Sequence, residues 1–339
     1  MTAEIKPIYG IERIRLATAV PLETPFSVFV FPSTYCNFKC VYCAHAFSPA
    51  ELKEKYGLER QNMSLETFEH VLVQLAEFPQ RLKLLSLTGQ GEPLMNKNIA
   101  AMVSMAKRAN VAERIEIISN GRLLSREMAD ALVAAGLDSL RISLQGLSAE
   151  KYRTIGGVKL DYDNFVDNIR YYHRRKGNAA LYVKIMDVAL GPGDEARFYQ
   201  QFGDCSDRMY VERMLPAYAG VPLTDGMQVD YDRYGRRIEQ RKVCPLPFYM
   251  LGVFPNGDVE PCDTIYKPVI LGNVHHQRLL EMWQGDVLRN FWQQHLRGDR
   301  HDNARCANCN APDDVSHPED LLDADAAEIM RRLADGTRK

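Results

Sequence analysis

Short apolar runs of the β type alternate, between residues 26 and 214, with longer stretches in which apolar residues recur every three to four positions. Six runs of the first kind are present, at 26–31, 82–88, 114–119, 139–145, 181–188 and 208–214. The stretches between them have helical periodicity, and Ser64 and Ser125 stand where N-caps are expected, with Gly136 as a stop signal after the second of these helices. Regular alternation of strand and helix predicts a parallel sheet covered by helices.

The number of units decides between a closed and an open barrel. The six strand–helix units are fewer than the eight of a complete barrel, which takes about 250 residues. We therefore expect an α/β fold in which a partial (β/α)6 barrel of the TIM type, with a short N-terminal extension, occupies residues 1–225. Residues 226–339 are expected to form a small second domain that ends in a peripheral helix over "ADAAEIMRRLADG".

Composition excludes several classes of protein. With 339 residues, of which 46 % are hydrophobic and 25 % charged, the chain can build a large core plus a smaller domain. The formal charge of -2 comes without any basic run, so neither nucleic acid nor a membrane is expected as a partner. The start "MTAEIKPIYG" lacks an apolar signal core, and no stretch approaches the roughly 20 apolar residues that span a bilayer. We expect a cytoplasmic protein.

The eight cysteines are grouped rather than scattered. Three follow the first predicted strand at Cys-x3-Cys-x2-Cys spacing and are called the cysteine triad: Cys36, Cys40 and Cys43. Four lie in the predicted second domain and are called the cysteine tetrad: Cys244, Cys262, Cys306 and Cys309. Disulfides are not expected in a cytosolic chain of this length, so both groups indicate metal or iron-sulfur ligation. Cys205 stands alone, just before the sixth predicted strand.

Two motifs lie where ligands of a parallel sheet collect, at the carboxyl ends of the strands. "CNFKCVYC" leaves the first strand at that end and "GQGEP" leaves the second. Together they resemble the radical S-adenosylmethionine (radical SAM) superfamily over roughly residues 22–216. The resemblance implies a 4Fe-4S cluster held by the triad, with one iron left open for the amino and carboxylate groups of S-adenosylmethionine. An electron from the cluster then cleaves S-adenosylmethionine to methionine and a 5'-deoxyadenosyl radical.

The resemblance also implies which residues contact the cofactor. Tyr42 fills the position that lies against the adenine in the family. The motif whose backbone holds the methionyl amine corresponds here to Gly89, Gln90, Gly91 and Glu92, although the family more often has glycine where Gln90 stands. Further contacts with S-adenosylmethionine are expected at the ends of the later strands, from Asn120, Ser143 and Lys184. Glu212 and Arg213, at the end of the sixth strand, are the candidates for catalytic groups that face the cavity.

The tetrad resembles the auxiliary-cluster domain called twitch, a shortened relative of the SPASM domain, and "GDVEPC" matches its Gly-x4-Cys hairpin. This resemblance implies a second, auxiliary 4Fe-4S cluster. A zinc ion remains an alternative for each group, because His45 follows the triad and "CANC" is a zinc half-site.

The spacing of the tetrad is similar to that of 2-deoxy-scyllo-inosamine dehydrogenase, an enzyme that oxidises an aminocyclitol alcohol. That similarity implies a radical SAM oxidoreductase of natural product biosynthesis, with an aminocyclitol, sugar or nucleotide sugar as substrate and flavodoxin or ferredoxin as electron donor. Alternatives are redox-neutral elimination or epimerisation of a sugar, a maturase that modifies a peptide or protein, and a non-catalytic protein with two metal knuckles. Epimerisation through Cys205 is disfavoured, because this thiol precedes its strand and so belongs to the far end of the sheet.

Overall fold

The computed structural model describes residues 3–7, 13–221, 223–224, 227–228, 230–238, 241–314 and 317–336. Within these residues the strands are β1 (Glu4–Ile5), β2 (Ser27–Val30), β3 (Leu84–Leu87), β4 (Ile115–Ser119), β5 (Ser139–Leu144), β6 (Ala180–Met186), β7 (Arg208–Glu212), β8 (Met250–Val253), β9 (Asp258–Glu260) and β10 (Gly272–Asn273). The α-helices are α1 (Leu16–Ala19), α2 (Pro49–Tyr56), α3 (Leu65–Leu75), α4 (Ile99–Ala109), α5 (Arg126–Ala134), α6 (Ala149–Thr154), α7 (Tyr162–Arg175), α8 (Asp194–Phe202), α9 (Leu279–Gln284), α10 (Asp286–Leu296), α11 (Ala311–Asp314) and α12 (Ala326–Ala334). None of the helices in the described part of the chain is long and apolar enough to cross a bilayer.

The six strands predicted from the sequence are β2 to β7, and each pairs in parallel with the next in chain order. The full order in the sheet is β1-β7-β6-β5-β4-β3-β2-β8-β9-β10, so β2 and β7 are not neighbours and the barrel stays open between them. The prediction of an α/β fold with a partial six-unit barrel is confirmed.

Strand alternation separates the packed core from the interior of the barrel. On β5, Leu140, Ile142 and Leu144 are completely buried in the layer of helices, whereas Arg141 and Ser143 point to the opposite side and line open cavities. β5 therefore contributes polar side chains to these cavities, alongside Leu144 at its carboxyl end.

The helix caps predicted from the sequence at Ser64, Ser125 and Gly136 are present in the structure. Ser64 accepts a hydrogen bond from the backbone N–H of Thr67 at 2.9 Å, and Ser125 accepts one from Met128 at 3.2 Å. Gly136, with φ at +83°, follows the end of α5 in the left-handed conformation that glycine adopts most easily. These caps fix where α3 and α5 begin and where α5 ends.

Both edges of the half-barrel carry strands that the sequence did not reveal. β1 pairs in parallel with β7, and β8 pairs in parallel with β2. β8, β9 and β10 then continue as an antiparallel ribbon, with the tetrad residue Cys262 just after β9. The second domain is thus hydrogen-bonded to the first strand of the barrel through one continuous sheet.

The C-terminal helix α12 is anchored more firmly than the expected peripheral helix. Ile329 is completely buried and Leu333 nearly so, both within the main hydrophobic core. Arg332 donates hydrogen bonds to the carbonyls of Ala17 and Val20 at 2.6 and 2.7 Å. The few large apolar residues of α12 all face the core, which compensates for their small number.

Candidate functional site

An open cleft of about 1000 Å³ lies at the carboxyl ends of the parallel strands. Most of the residues expected from the sequence to bind the cluster or S-adenosylmethionine line it: Cys36, Cys40, Tyr42, Cys43, Gly89, Gly91, Glu92, Asn120, Ser143 and Lys184. They come from segments far apart in the chain and meet because parallel strands place their carboxyl ends at one edge of the sheet.

The "GQGEP" loop packs tightly against the loop that carries the triad. A Cβ atom on Gly89 would lie 1.8 Å from the ring of Phe31, and one on Gly91 would lie 2.2 Å from the carbonyl oxygen of Ser33. The backbone N–H of Glu92 donates to the carbonyl of Tyr35 at 2.8 Å. The two glycines are therefore required by the close approach of the two loops, which brings the "GQGEP" backbone to the edge of the cleft.

The carboxylate of Glu92 serves the fold at this edge. It accepts hydrogen bonds from the N–H of Leu94 at 3.0 Å, the hydroxyl of Ser119 at 2.7 Å and the N–H of Asn120 at 2.7 Å. Burial raises the pKa of Glu92 to about 6, while these hydrogen bonds act in the opposite direction. Glu92 thereby joins the ends of β3 and β4 and holds Asn120 at the cleft.

Gln90 is turned away from the cleft lining and towards the second domain. Its side-chain Nε2 donates to the carbonyl of Asp263, next to the tetrad residue Cys262, at 2.7 Å. The Nε2 atom of His45 lies 3.2 Å from the carbonyl oxygen of Gln90. His45 is thus engaged with the "GQGEP" loop, and burial lowers its pKa, so its ring is neutral at pH 7.

Gln145 is a residue of this site that the sequence did not single out, although it lies in the "SLQG" stretch at the end of β5. Its Oε1 accepts a hydrogen bond from the hydroxyl of Tyr42 and lies 3.5 Å from the sulfur of Cys40. Its Nε2 donates to the carbonyl of Ser143 at 3.1 Å. The contact orients Tyr42, and its position one residue beyond a strand end was the signal available in the sequence.

Four charged groups form a chain behind the cleft wall. Lys184 Nζ lies 2.6 Å from Glu212 Oε2, and Arg233 Nη1 lies 3.1 Å from the same oxygen. Arg233 also donates hydrogen bonds to Asp314, from Nε to Oδ1 at 3.0 Å and from Nη2 to Oδ2 at 2.6 Å. Burial alone would raise the pKa of Glu212, but the charges of Lys184 and Arg233 hold it below its ordinary value. Lys184 and Arg233 both line the cleft, and Arg233 and Asp314 both lie in the predicted second domain.

Arg213 lies outside the cleft, which corrects the expectation that it faces the cavity. Its side chain is exposed, with the guanidinium 5.4 Å from the ring centre of Tyr231. Adjacent residues at a strand end point in opposite directions, so Glu212 and Arg213 cannot both face inward. Cys205 is buried before β7, with its sulfur 3.9 Å from the carbonyl of Gln201, at the end of the sheet opposite the cleft.

The four thiols of the tetrad line a second cavity, of about 340 Å³. Burial raises the pKa of Cys306 to about 12 and that of Cys309 to about 11, and Arg300, which lines the same cavity, opposes both shifts. Sulfurs in this setting become thiolates when a metal centre binds them, because a coordinating thiol is deprotonated outright. The donor set, four cysteines lining one cavity, fits an iron-sulfur cluster.

The arrangement differs from that of a site for one metal ion. Among the described residues, no three His, Cys, Asp or Glu side chains are arranged to hold a single ion. A zinc ion draws its sulfur ligands to about 2.3 Å from one centre, whereas a four-iron cube binds each thiolate through a different iron.

Family models match two parts of the chain. The model described as the radical SAM superfamily matches residues 30–195, and the model described as SPASM, an iron-sulfur cluster-binding domain, matches residues 244–310. These matches cover the triad with the "GQGEP" loop and all of the tetrad.

Relatives of different activity share parts of the sequence. A GTP 3',8-cyclase of Chlorobaculum tepidum is 35 % identical over 120 residues, which are 35 % of this chain and 33 % of the relative. The chain thus spans about a third of the length of that cyclase. A PqqA peptide cyclase of Gluconobacter oxydans is 26 % identical over 295 residues, which are 79 % of both chains. Among solved structures, BtrN in complex with AdoMet and 2-DOIA has a TM-score of 0.54 at 19 % identity, covering 84 % of this chain and 92 % of that one. At that identity, the likeness supports the fold.

Proposed function

Because the chain belongs to the radical SAM superfamily and carries a SPASM iron-sulfur domain, we propose that it oxidises an alcohol group of a small polar substrate, such as an aminocyclitol, a sugar or a nucleotide sugar. The observation that carries this proposal is the tetrad cavity, in which four thiols surround one space. One auxiliary cluster with a complete set of thiolate ligands has no iron left open for a substrate, which suits the transfer of electrons.

The cofactors supply the radical chemistry. When bound, S-adenosylmethionine and the cluster on the triad supply a 5'-deoxyadenosyl radical, and the cluster on the tetrad supplies an acceptor for one electron. Conversion of an alcohol to a ketone removes one hydrogen atom, one electron and one proton from the substrate. The 5'-deoxyadenosyl radical would accept the hydrogen atom, and the cluster on the tetrad would accept the electron. The proton leaves from the hydroxyl group to water in the open cleft.

The residues of the chain provide binding and orientation. We assign S-adenosylmethionine to the cleft wall formed by Tyr42, the "GQGEP" backbone, Asn120 and Ser143, all of which line one space with the triad. Lys184 is held by Glu212, and its ammonium group presents a positive charge to a carboxylate or hydroxyl in the cleft. In this proposal Glu212 positions Lys184 and does not itself touch the substrate.

Polar and charged groups in the cleft favour a polar substrate. Lys184, Arg233 and Asn120 line it together with the hydrophobic Met214 and Leu215. The hydroxyl groups of a sugar or aminocyclitol can hydrogen-bond to the polar side chains of the cleft. Its apolar faces can pack against Met214 and Leu215. We further propose a cytoplasmic location, because none of the eight cysteines is paired in a disulfide, and a flavodoxin or ferredoxin as electron donor.

A maturase that modifies a peptide is the second candidate. It is supported by the similarity to the PqqA peptide cyclase, which extends over 79 % of both chains. The two candidates differ in substrate, so anaerobic incubation with a panel of aminocyclitols, sugars and synthetic peptides separates them. Formation of a ketone from one of the small alcohols supports the first candidate, and crosslinked peptide with no ketone supports the second.

The decisive experiment replaces two tetrad ligands, Cys262→Ala with Cys306→Ala. Cleavage of S-adenosylmethionine needs only the cluster on the triad, so 5'-deoxyadenosine formation should persist while ketone formation stops. A circular dichroism melt and S-adenosylmethionine binding show whether the variant keeps its fold, since a bound metal centre contributes folding energy. A folded variant that forms ketone at the wild-type rate would show that the auxiliary cluster is not the electron acceptor.

A further inference from the structure

A buried cation lies beside the thiols of the tetrad cavity. Arg300 begins a short 3-10 helix, Arg300–Asp302, and its side chain lines the same space as all four cysteines. The residue is only 6 % exposed. Arginine is rarely buried to this degree without an ionic partner, so its position here needs a reason.

The contacts of Arg300 hold its guanidinium in place without neutralising it. Nη1 donates to the carbonyl of Cys309 at 3.3 Å, and Nη2 lies 3.3 Å from Nε2 of His301. Neither the carbonyl nor the imidazole carries negative charge, and the Nε atom is buried without a hydrogen-bond partner. Asp313 is near enough for the two charges to interact, but neither of the hydrogen bonds of Arg300 goes to that carboxylate.

The position of Arg300 is fixed relative to the four thiols, because its side chain lines the cavity that they surround. Its guanidinium is bonded to the main chain of one ligand residue, so the charge is fixed relative to the cavity. This fixed charge faces the place where the auxiliary cluster is proposed to lie.

We propose that Arg300 sets the reduction potential of the auxiliary cluster, keeping it high enough to accept one electron from the substrate radical. This inference rests on the proposed function, because it assumes a cluster on the tetrad. Four thiolates outweigh the positive charge of the iron-sulfur core, so the cluster is anionic and each added electron makes it more so. A fixed cation in a region of low dielectric stabilises the reduced form more than the oxidised form, which raises the potential.

Arginine suits this role because its planar guanidinium is a cation whose several donors have a fixed geometry. His295 lies on the same cavity, with Nε2 4.0 Å from the sulfur of Cys306. Of the two arginines that line the cavity, Arg300 is the buried one.

Arg305 provides a matched control. It lines the same cavity, but the residue is exposed and its Nη1 donates to the carbonyl of Lys55 at 2.8 Å. Water and salt screen a charge in that position. Removing the charge of Arg305 should therefore change the potential much less than removing that of Arg300.

The test is a redox titration of the anaerobically reconstituted holoenzyme, followed by electron paramagnetic resonance in the presence of S-adenosylmethionine. The signal that S-adenosylmethionine leaves unchanged reports the auxiliary cluster. Arg300→Gln should shift its midpoint to more negative potential, Arg300→Lys should stay near the wild type, and Arg305→Gln should shift it less than Arg300→Gln. The ratio of ketone to 5'-deoxyadenosine should fall in Arg300→Gln.

Each other outcome counts against the inference or against its premise. An unchanged midpoint in an Arg300→Gln protein with full iron content overturns the inference, as does an equal shift in Arg305→Gln. Loss of iron from Arg300→Gln also overturns the inference, whether or not Arg300→Lys loses iron. That result would assign Arg300 to assembly of the cluster rather than to the reduction potential of the cluster. A wild-type holoenzyme that lacks the second signal would instead refute the auxiliary cluster itself, and with it the proposed function.

Discussion

Replacement of Glu212 by glutamine should destabilise the protein in a way that depends on pH. In the folded chain, Glu212 is 1 % exposed and is the carboxylate that neutralises Lys184, whose side chain is 14 % exposed. Glutamine keeps the shape but leaves Lys184 buried near the positive charges of Arg233 and Arg141. Arg233 itself retains Asp314 as a partner.

The size of the effect has an upper limit, because Lys184 can release its proton. Breaking a buried ion pair typically costs about 3–5 kcal/mol. Deprotonating a lysine with an ordinary pKa of 10.5 at pH 7 costs about 1.4 kcal/mol per pH unit, or about 5 kcal/mol in total. We therefore expect Glu212→Gln to lower the free energy of unfolding by about 3–5 kcal/mol at pH 7.

The sign of the pH dependence follows from the same argument. In the variant, burial and like charge depress the folded-state pKa of Lys184, so the folded chain binds fewer protons than the unfolded chain below pH 10.5. Stability of the variant relative to the wild type should rise with pH, and at pH 9 the upper limit on the deficit falls to about 2 kcal/mol.

Urea unfolding followed by circular dichroism at pH 7, 8 and 9 measures this deficit. Glu150→Gln is the matched control, because Glu150 pairs with Arg153 at the surface, where the side chains are 66 % and 60 % exposed. That control should leave the free energy of unfolding nearly unchanged and show no trend with pH between 7 and 9. A Glu212→Gln deficit below 1 kcal/mol, or one that does not shrink as pH rises, would refute the assigned pairing.

Three further predictions concern the clusters, the "GQGEP" loop and the C-terminal helix. Alanine at all three triad positions should reduce the iron content from about eight to about four per chain and abolish 5'-deoxyadenosine formation. The control Cys205→Ala should leave both unchanged. Iron analysis and chromatography of 5'-deoxyadenosine measure the two quantities. Gly91→Ala should weaken S-adenosylmethionine binding at least about tenfold by calorimetry, because its Cβ would lie 2.2 Å from the carbonyl of Ser33; unchanged affinity would contradict the contact between the loops. Ile329→Ala should cost about 2–5 kcal/mol in urea unfolding, since the side chain is completely buried, while Glu328→Ala should cost less than about 1 kcal/mol; equal effects would show that α12 is not part of the core.

The sequence was sufficient where the signal is local. Each of β2 to β7 is a short run made mainly of apolar and β-branched residues, so its position could be predicted without knowing its neighbours. The triad and the "GQGEP" loop are contiguous motifs at strand ends, and the parallel sheet brings them together without further information.

The sequence was insufficient where a contact joins distant segments. Arg233 lies in a stretch without strand or helix periodicity, so nothing indicated that it joins Glu212 to Asp314. β8 has only four residues, and its pairing with β2 is a long-range choice that periodicity does not encode. Gln90 belongs to a motif that concerns the backbone, so its side-chain bond to Asp263 was unforeseen. The error at Arg213 arose because only one of two adjacent residues can point inward.

The edge strand β8 has a consequence for folding of the chain during its synthesis on the ribosome. β2 ends at Val30 and its partner β8 begins at Met250, so 219 residues lie between the two strands of that ladder. At typical rates of translation, about 5–20 residues per second, the outer edge of β2 waits about 10–45 s for its partner. An unpaired edge of this kind is a template for wrong strand pairing. Synonymous changes that slow synthesis between these strands should therefore lower the yield of soluble protein, while the same number of slow codons placed after β10 should not.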